Sequence, residues 1–185
     1  MLKEADELYK RSNERKYTLM STLKTLRSSD LDTAQYYVQV VDYLNEMTKA
    51  LVHVIRPAFD HIDNNHEGLS KEQTDDLRHI NEEVESIYRQ IEGMLRLGDF
   101  SDIDRVLAMR DSLFESIAAA IKSELERINA PQHGLTNTKA SVLYLSILNE
   151  TKNMVLQSRN LLKAQRYFLE HTGIKRNWLN YAKSK

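Results

Sequence analysis

The chain has no cysteine, and only two prolines and five glycines, among its 185 residues. Without cysteine, disulfides and thiolate metal centres are excluded, which fits a reducing compartment. So few turn-forming residues leave room for few breaks, and therefore for few, long elements. No run approaches the roughly 18 apolar residues of a membrane span. The opening MLKEADELYK lacks the apolar core of a secretory signal. As it stands the chain reads as soluble. An excess of one charge is missing too. Lysine and arginine number 26 against 27 acids, a net charge of −1, and a nucleic-acid binder would usually be basic. There is no glycine-rich phosphate loop, and no Ser/His spacing nominates a catalytic triad. The reading is non-enzymatic. The histidines never give two Glu-x-x-His units, so a ferritin-like di-iron core is not expected.

What is present is apolar residues at helical spacing, in a chain large enough to bury a core as one domain. The pattern predicts an all-α fold, an elongated antiparallel bundle of five long helices. They cover about Lys3 to Arg27, Leu31 to Asn64, Lys71 to Leu97, Asp102 to Asn129, and Asn137 to His171. The bundle occupies 1–173, and a basic aromatic tail follows at 174–185. Ser29 is placed to cap the second helix. Ser70 and Gln73 have capping-box spacing, and Ser101 with Asp104 gives an acidic start. Gly98, Gly134 and Gly173 fall where helices should stop, and Pro131 lies in a break. Pro57 inside the second helix removes a backbone donor and should bend it.

The stripes run at about 100° per residue. The second helix aligns Val41, Leu44, Leu51, Ile55 and Ile62. The third aligns Leu77, Val84, Tyr88, Ile91 and Leu95. The fourth aligns Ile103, Val106, Phe114, Ile117, Ile121 and Leu125. The fifth carries two adjacent stripes, Ile147, Met154, Leu161 and Phe168 beside Leu148, Val155, Leu162 and Leu169. Both repeat every seven residues, as helices packed at about 20° require. Short connections should make sequential helices antiparallel neighbours.

On the second helix Asp42, Glu46, Lys49, His53 and Asp60 share a line about 160° from the apolar stripe. Asp42 and Glu46 are four apart, so their carboxylates are surface neighbours that repel unless a cation sits between them. Two readings stand: a solvated face relieved by Lys49, or an oxygen-rich cation site on helix-borne carboxylates. Asp60, Asp63 and His66 follow, read as a frayed polar helix end. Asp76 and His79 are expected to face solvent. On the fourth helix Asp111 and Glu115 repeat the spacing, about 90° to 130° from the stripe centre. Asn149 and Asn153 hold the matching outer positions on the fifth.

The stretch VVDYLNEMTKAL resembles the PhoU signature, with Val41, Asp42, Leu44, Glu46 and Leu51 in its apolar and acidic roles. The longer span through FDHIDNNH is similar to the cytoplasmic C-terminal, PhoU-like domain of bacterial sodium/phosphate cotransporters. In that register DRVLAMRDSLFESI and LYLSILNETKNMVL resemble the second and third helices of a repeat. The first two helices are then the end of a preceding repeat whose opening helix is absent. The resemblance implies a regulatory or accessory domain under a phosphate transporter, at the cytoplasmic face of the inner membrane. It implies iron or zinc sites on surface acids, here Asp42, Glu46, Asp111 and Glu115. Asn149 and Asn153 depart from that pattern, so no tight cluster is expected in the second repeat, and at Asp42 and Glu46 at most a weak, exchangeable divalent cation is expected. A free-standing helical adaptor and a metal-binding regulator are the other readings. The implied partner is the transporter portion of the same protein, and a homo-oligomer is a further option.

The tail IKRNWLNYAKSK carries Lys175, Arg176, Lys183 and Lys185 and no acid. Trp178 and Tyr181 are three apart, so a helix would set them on one face. Trp178 can cap the bundle end, or the aromatics can sit at headgroup level beside lysines that each contribute roughly 1 kcal/mol toward anionic lipid. If the membrane reading holds, the chain floats with anionic liposomes at low salt and loses them at high salt. Deletion after Gly173 should abolish flotation. Equal binding without the tail would remove the idea.

Overall fold

The computed structural model describes residues 1–25, 31–130 and 137–172. The tail residues Lys175, Arg176, Trp178, Tyr181, Lys183 and Lys185 lie outside the described residues, as do Ser29, Pro131, Gly134 and Gly173. Five α-helices follow in order: α1 Leu2–Lys24, α2 Leu31–Asp63, α3 Lys71–Leu97, α4 Ile103–Asn129 and α5 Thr138–Thr172. There is no strand among the described residues. The fold is an all-α bundle. The two longest helices are α2, with 33 residues, and α5, with 35. The latter extends about 50 Å at the standard rise.

The helix ends follow from local chemistry. Ser70 accepts from the Gln73 backbone N–H, and the Gln73 side chain accepts in return from the Ser70 N–H, a complete capping box. Gly98 closes α3 in the left-handed region at φ 64°, where a side chain would be strained. Ser101 does not cap α4. That role falls to Asp102 without a side-chain bond, and Ser101 N–H donates instead to Asp99 Oδ1 in the preceding turn. Asn137 caps α5, accepting from Ala140 N–H at 3.1 Å. Helix α2 runs unbroken through Pro57, which lies on its exposed side.

The packing is organised around α5. The main core joins α3, α4 and α5, and each contributes a line of positions spaced alternately three and four apart. On α5 that line is Ser141, Tyr144, Leu148, Thr151, Val155, Ser158 and Leu162, all buried. On α3 the buried residues are Gln73, Ile80, Ile87, Ile91 and Met94; Ile91 belongs to the predicted stripe, and the other four lie one step round from it. On α4 they are Ile103, Val106, Leu113, Ile117, Ala120 and Glu124. Phe114 and Ile121 sit on the flank of that seam, and Leu125 is exposed.

The second stripe of α5 meets α2 along most of its length, in the most extensive helix pair of the fold. Tyr37 lies against Phe168, His53 near Glu150, and Tyr36 stacks on Tyr167, so the two run antiparallel. Helix α1 then packs antiparallel on α2. Sequential helices are therefore not all packed neighbours. Helix α2 turns to α1 and α5 and makes no comparable contact with α3, because α5 has two apolar faces and needs a partner on each. Ile62, at the end of the predicted stripe of α2, is 75% exposed.

Leu148 has no exposed surface. Leu148→Ala should cost about 2–5 kcal/mol through lost transfer energy and an unfilled cavity. Ile62→Ala should cost about 0.5 kcal/mol or less. Urea unfolding midpoints measure both, and equal shifts would contradict this placement.

Candidate functional site

The acid pair of α2 lies on the outer side of the helix but not in open solvent. Asp42 and Glu46 are half-buried, since α1 runs alongside. Lys16 of α1 donates to Asp42 Oδ1 at 2.6 Å, and Lys49 Nζ lies 3.8 Å from Glu46. The hydrogen bond to Asp42 is the main reason the Lys16 ammonium is held above its ordinary pKa. The charges of Asp42 and Glu46 add to it, against a burial penalty. The cation the spacing asked for is thus a lysine from the neighbouring helix. The rest of the α1–α2 seam is polar in the same way. Asp6 accepts from Arg56, and the buried Asn45 amide donates to Asn13 Oδ1 at 2.8 Å.

The α4 pair has similar surroundings. Asp111 accepts from both Nε and Nη2 of Arg110, and Glu115 is exposed. Arg110 and Lys152 lie over the Phe114 ring at 5.8 Å and 5.3 Å. Asn149 bonds back to the Leu145 carbonyl, and Asn153 lies against Glu150 and Gln157. Helices α2 and α4 share no comparable interface, so Asp42 and Glu46 are not brought together with Asp111 and Glu115. Among the described residues no three His, Asp or Glu side chains gather closely enough to hold an ion.

Two polar arrangements were not foreseen. At one end of the main core Gln73 of α3, Glu124 of α4 and Ser141 of α5 form a buried polar layer. Gln73 Nε2 donates to Glu124 Oε1 at 3.0 Å, and Arg127 pairs with the other carboxylate oxygen. Burial raises the Glu124 pKa, but the hydrogen bonds from Arg127, Ser141 and Gln73 outweigh it and hold the carboxyl below its ordinary value. Beside this layer the buried Tyr144 donates to Asp76 Oδ2 at 2.7 Å, so Asp76 is partnered rather than solvent-facing. Further along, Ser158 donates to the Met154 carbonyl, which leaves its oxygen to accept from Tyr88 at 2.6 Å. Burial pushes the Tyr88 hydroxyl up to about 12, eased by that bond to Ser158. Running the three-four spacing through the sequence places Gln73, Glu124, Ser141 and Ser158 at seam positions, which is the signal that could have found them.

The second arrangement is the end of α2, which is not frayed. Asn65 adopts φ 52°, and its N–H reaches the Ile62 carbonyl while His66 N–H reaches that of His61. This is a Schellman closure with asparagine in the left-handed position. It folds His66 back so that its ring meets the His61 ring edge-on at 5.1 Å. His61 is buried, with Nε2 2.8 Å from the Glu67 carbonyl, so that nitrogen carries the proton. A cleft of about 490 Å³ opens here between the end of α2 and the start of α5.

No helix among the described residues is long and apolar enough to cross a membrane. Comparison with family models, with curated proteins and with solved structures finds no match.

Lys16 should compete with metal for Asp42. Lys16→Gln is expected to raise Mn²⁺ binding measurably, and Asp42→Asn in that background to remove it. Elemental analysis of wild type purified without chelators should find no stoichiometric iron or zinc. Several such ions per chain would overturn the assignment of Asp42 to lysine.

Proposed function

We propose that the chain is a cytosolic regulatory or accessory domain of a sodium-dependent phosphate cotransporter. The observation that supports this reading most is the PhoU-like stretch of α2. Its apolar member Val41 is buried, and its acids Asp42 and Glu46 lie at the outer seam of a long helix. The grouping of α3, α4 and α5 around one core is the arrangement a three-helix repeat of that family would take. Helices α1 and α2 would be the remainder of the preceding repeat. In this role the domain does no chemistry. It presents helix faces to the transporter and alters its activity as those faces engage. The implied ligand of its surface acids is an iron or zinc cation, held weakly because Lys16 and Lys49 already neutralise those acids.

A second reading, a helical adaptor, is favoured by one feature. An open groove of about 570 Å³ on α4 is lined by Ile117, Ile121 and Leu125, with Lys122, Glu126 and Lys152 at its rim. A partner helix with apolar residues at three- and four-residue spacing would fit such a groove.

The native gene separates the two. Paired hydrophobic repeats of transmembrane length upstream of Met1 are expected for the transporter domain. In cells, the full-length protein lacking residues 1–185 should still move phosphate while its response to phosphate supply changes. An absence of such repeats, or uptake and response both unchanged by the deletion, would end the transporter reading.

A further inference from the structure

The cleft at the end of α2 gathers nitrogen donors without a matching set of acids. Lys139, in the first turn of α5, points its ammonium at His66 Nε2, 3.4 Å away, rather than at a carboxylate. It makes no ion pair among the described residues. An ammonium only donates, so His66 Nε2 accepts and its proton sits on Nδ1. Burial, then the Lys139 charge, then His61 hold the His66 pKa below its ordinary value. Arg56 lines the same cleft and is ion-paired with Asp6 through Nη2 at 2.5 Å, which leaves its other N–H groups as donors. Asp60 is the one carboxylate among the lining residues, and it bonds to none of these groups.

A cation is the wrong occupant for this place. It would meet Lys139 and Arg56, and His61 Nε2 already carries a proton directed at Glu67. An oxyanion is the right one. It accepts from the ammonium, from Arg56 and from an imidazole N–H. The cleft is also larger than a bare tetrahedral anion, and its walls include Pro57, Val142 and Leu143. We propose that this cleft binds a phosphate group, as inorganic phosphate or as the phosphate of a small phosphomonoester whose organic part rests on the apolar wall. The site stands on local geometry alone. It does not depend on the transporter reading, and the uptake experiment can fail while this one succeeds.

The test is histidine-ring NMR of the whole chain, titrated at pH 7 with inorganic phosphate and separately with phenyl phosphate. Ionic strength is held constant with chloride. Saturable shifts of the His61 and His66 rings are expected with at least one probe. Phosphate alone identifies the free anion; tighter binding of phenyl phosphate identifies the ester. Lys139→Gln should weaken binding by about tenfold or more, as loss of a charged hydrogen bond does. Lys139 is exposed, so this variant should fold as wild type does, and the unliganded spectrum verifies it. Lys152→Gln, elsewhere on α5, should bind as wild type. Absence of saturable shifts with both probes, equal shifts from chloride, or unchanged binding by Lys139→Gln would each overturn the proposal.

Discussion

Everything in the fold turns on the double burial of α5. Its two seams, one through Leu148, Val155 and Leu162 and the other through Leu143, Leu161 and Ala164, are both withdrawn from water. A helix with one apolar stripe is satisfied by one neighbouring layer; a helix with two must become a central post. The α3–α4 hairpin takes one side and α2 the other. The short 64–70 connection then carries the chain past the end of α5, from one side of it to the other. That is why the start of α5 and the end of α2 face one another across a cleft.

The polar layer of Gln73, Glu124 and Ser141 acts on specificity more than on strength. Buried charge is costly to desolvate, and here it is compensated only when all three helices meet in one register. A shift of α3 by one heptad would set Ile80 rather than Gln73 against Glu124. The same logic explains the Tyr144–Asp76 and Tyr88–Ser158 bonds, which tie α3 to α5 at two heights and fix them parallel.

Helix number, type and ends were legible because the apolar spacing is strong and the breaks carry Ser, Gly and Asn. Four of the five helices begin and end within about one residue of expectation, inside the usual spread of boundary assignment. What was misplaced has a common cause. A hydrophobic stripe marks a face, but the centre of that face depends on which neighbours exist. Leu125 and Ile62 continue their stripes in sequence, yet nothing packs over them fully. Likewise Asp42 is on the outer side of α2, as the helical wheel places it, but the wheel could not include Lys16 on another helix. The His61–His66 contact escaped because it depends on a left-handed Asn65, a turn that spacing alone does not encode.

The attachment of α1 has a consequence for how the molecule breathes. Only Ala5, Ser12 and Leu19 of this helix are buried, one residue per heptad, and two of the three are small. Most of what joins it to α2 is exchangeable with water: an amide pair at Asn45 and Asn13, and ion pairs at half-exposed Lys16 and Arg56. Local opening is governed by apolar area lost, so α1 lifts away at a small fraction of the energy of global unfolding. Its amides will exchange with solvent first, and those of α5 last. When α1 leaves, Asp42 loses Lys16, and the acid pair is left with Lys49 beside Glu46 as its neighbouring cation. The surface charge of α2 is thereby set by the docking equilibrium of a single helix.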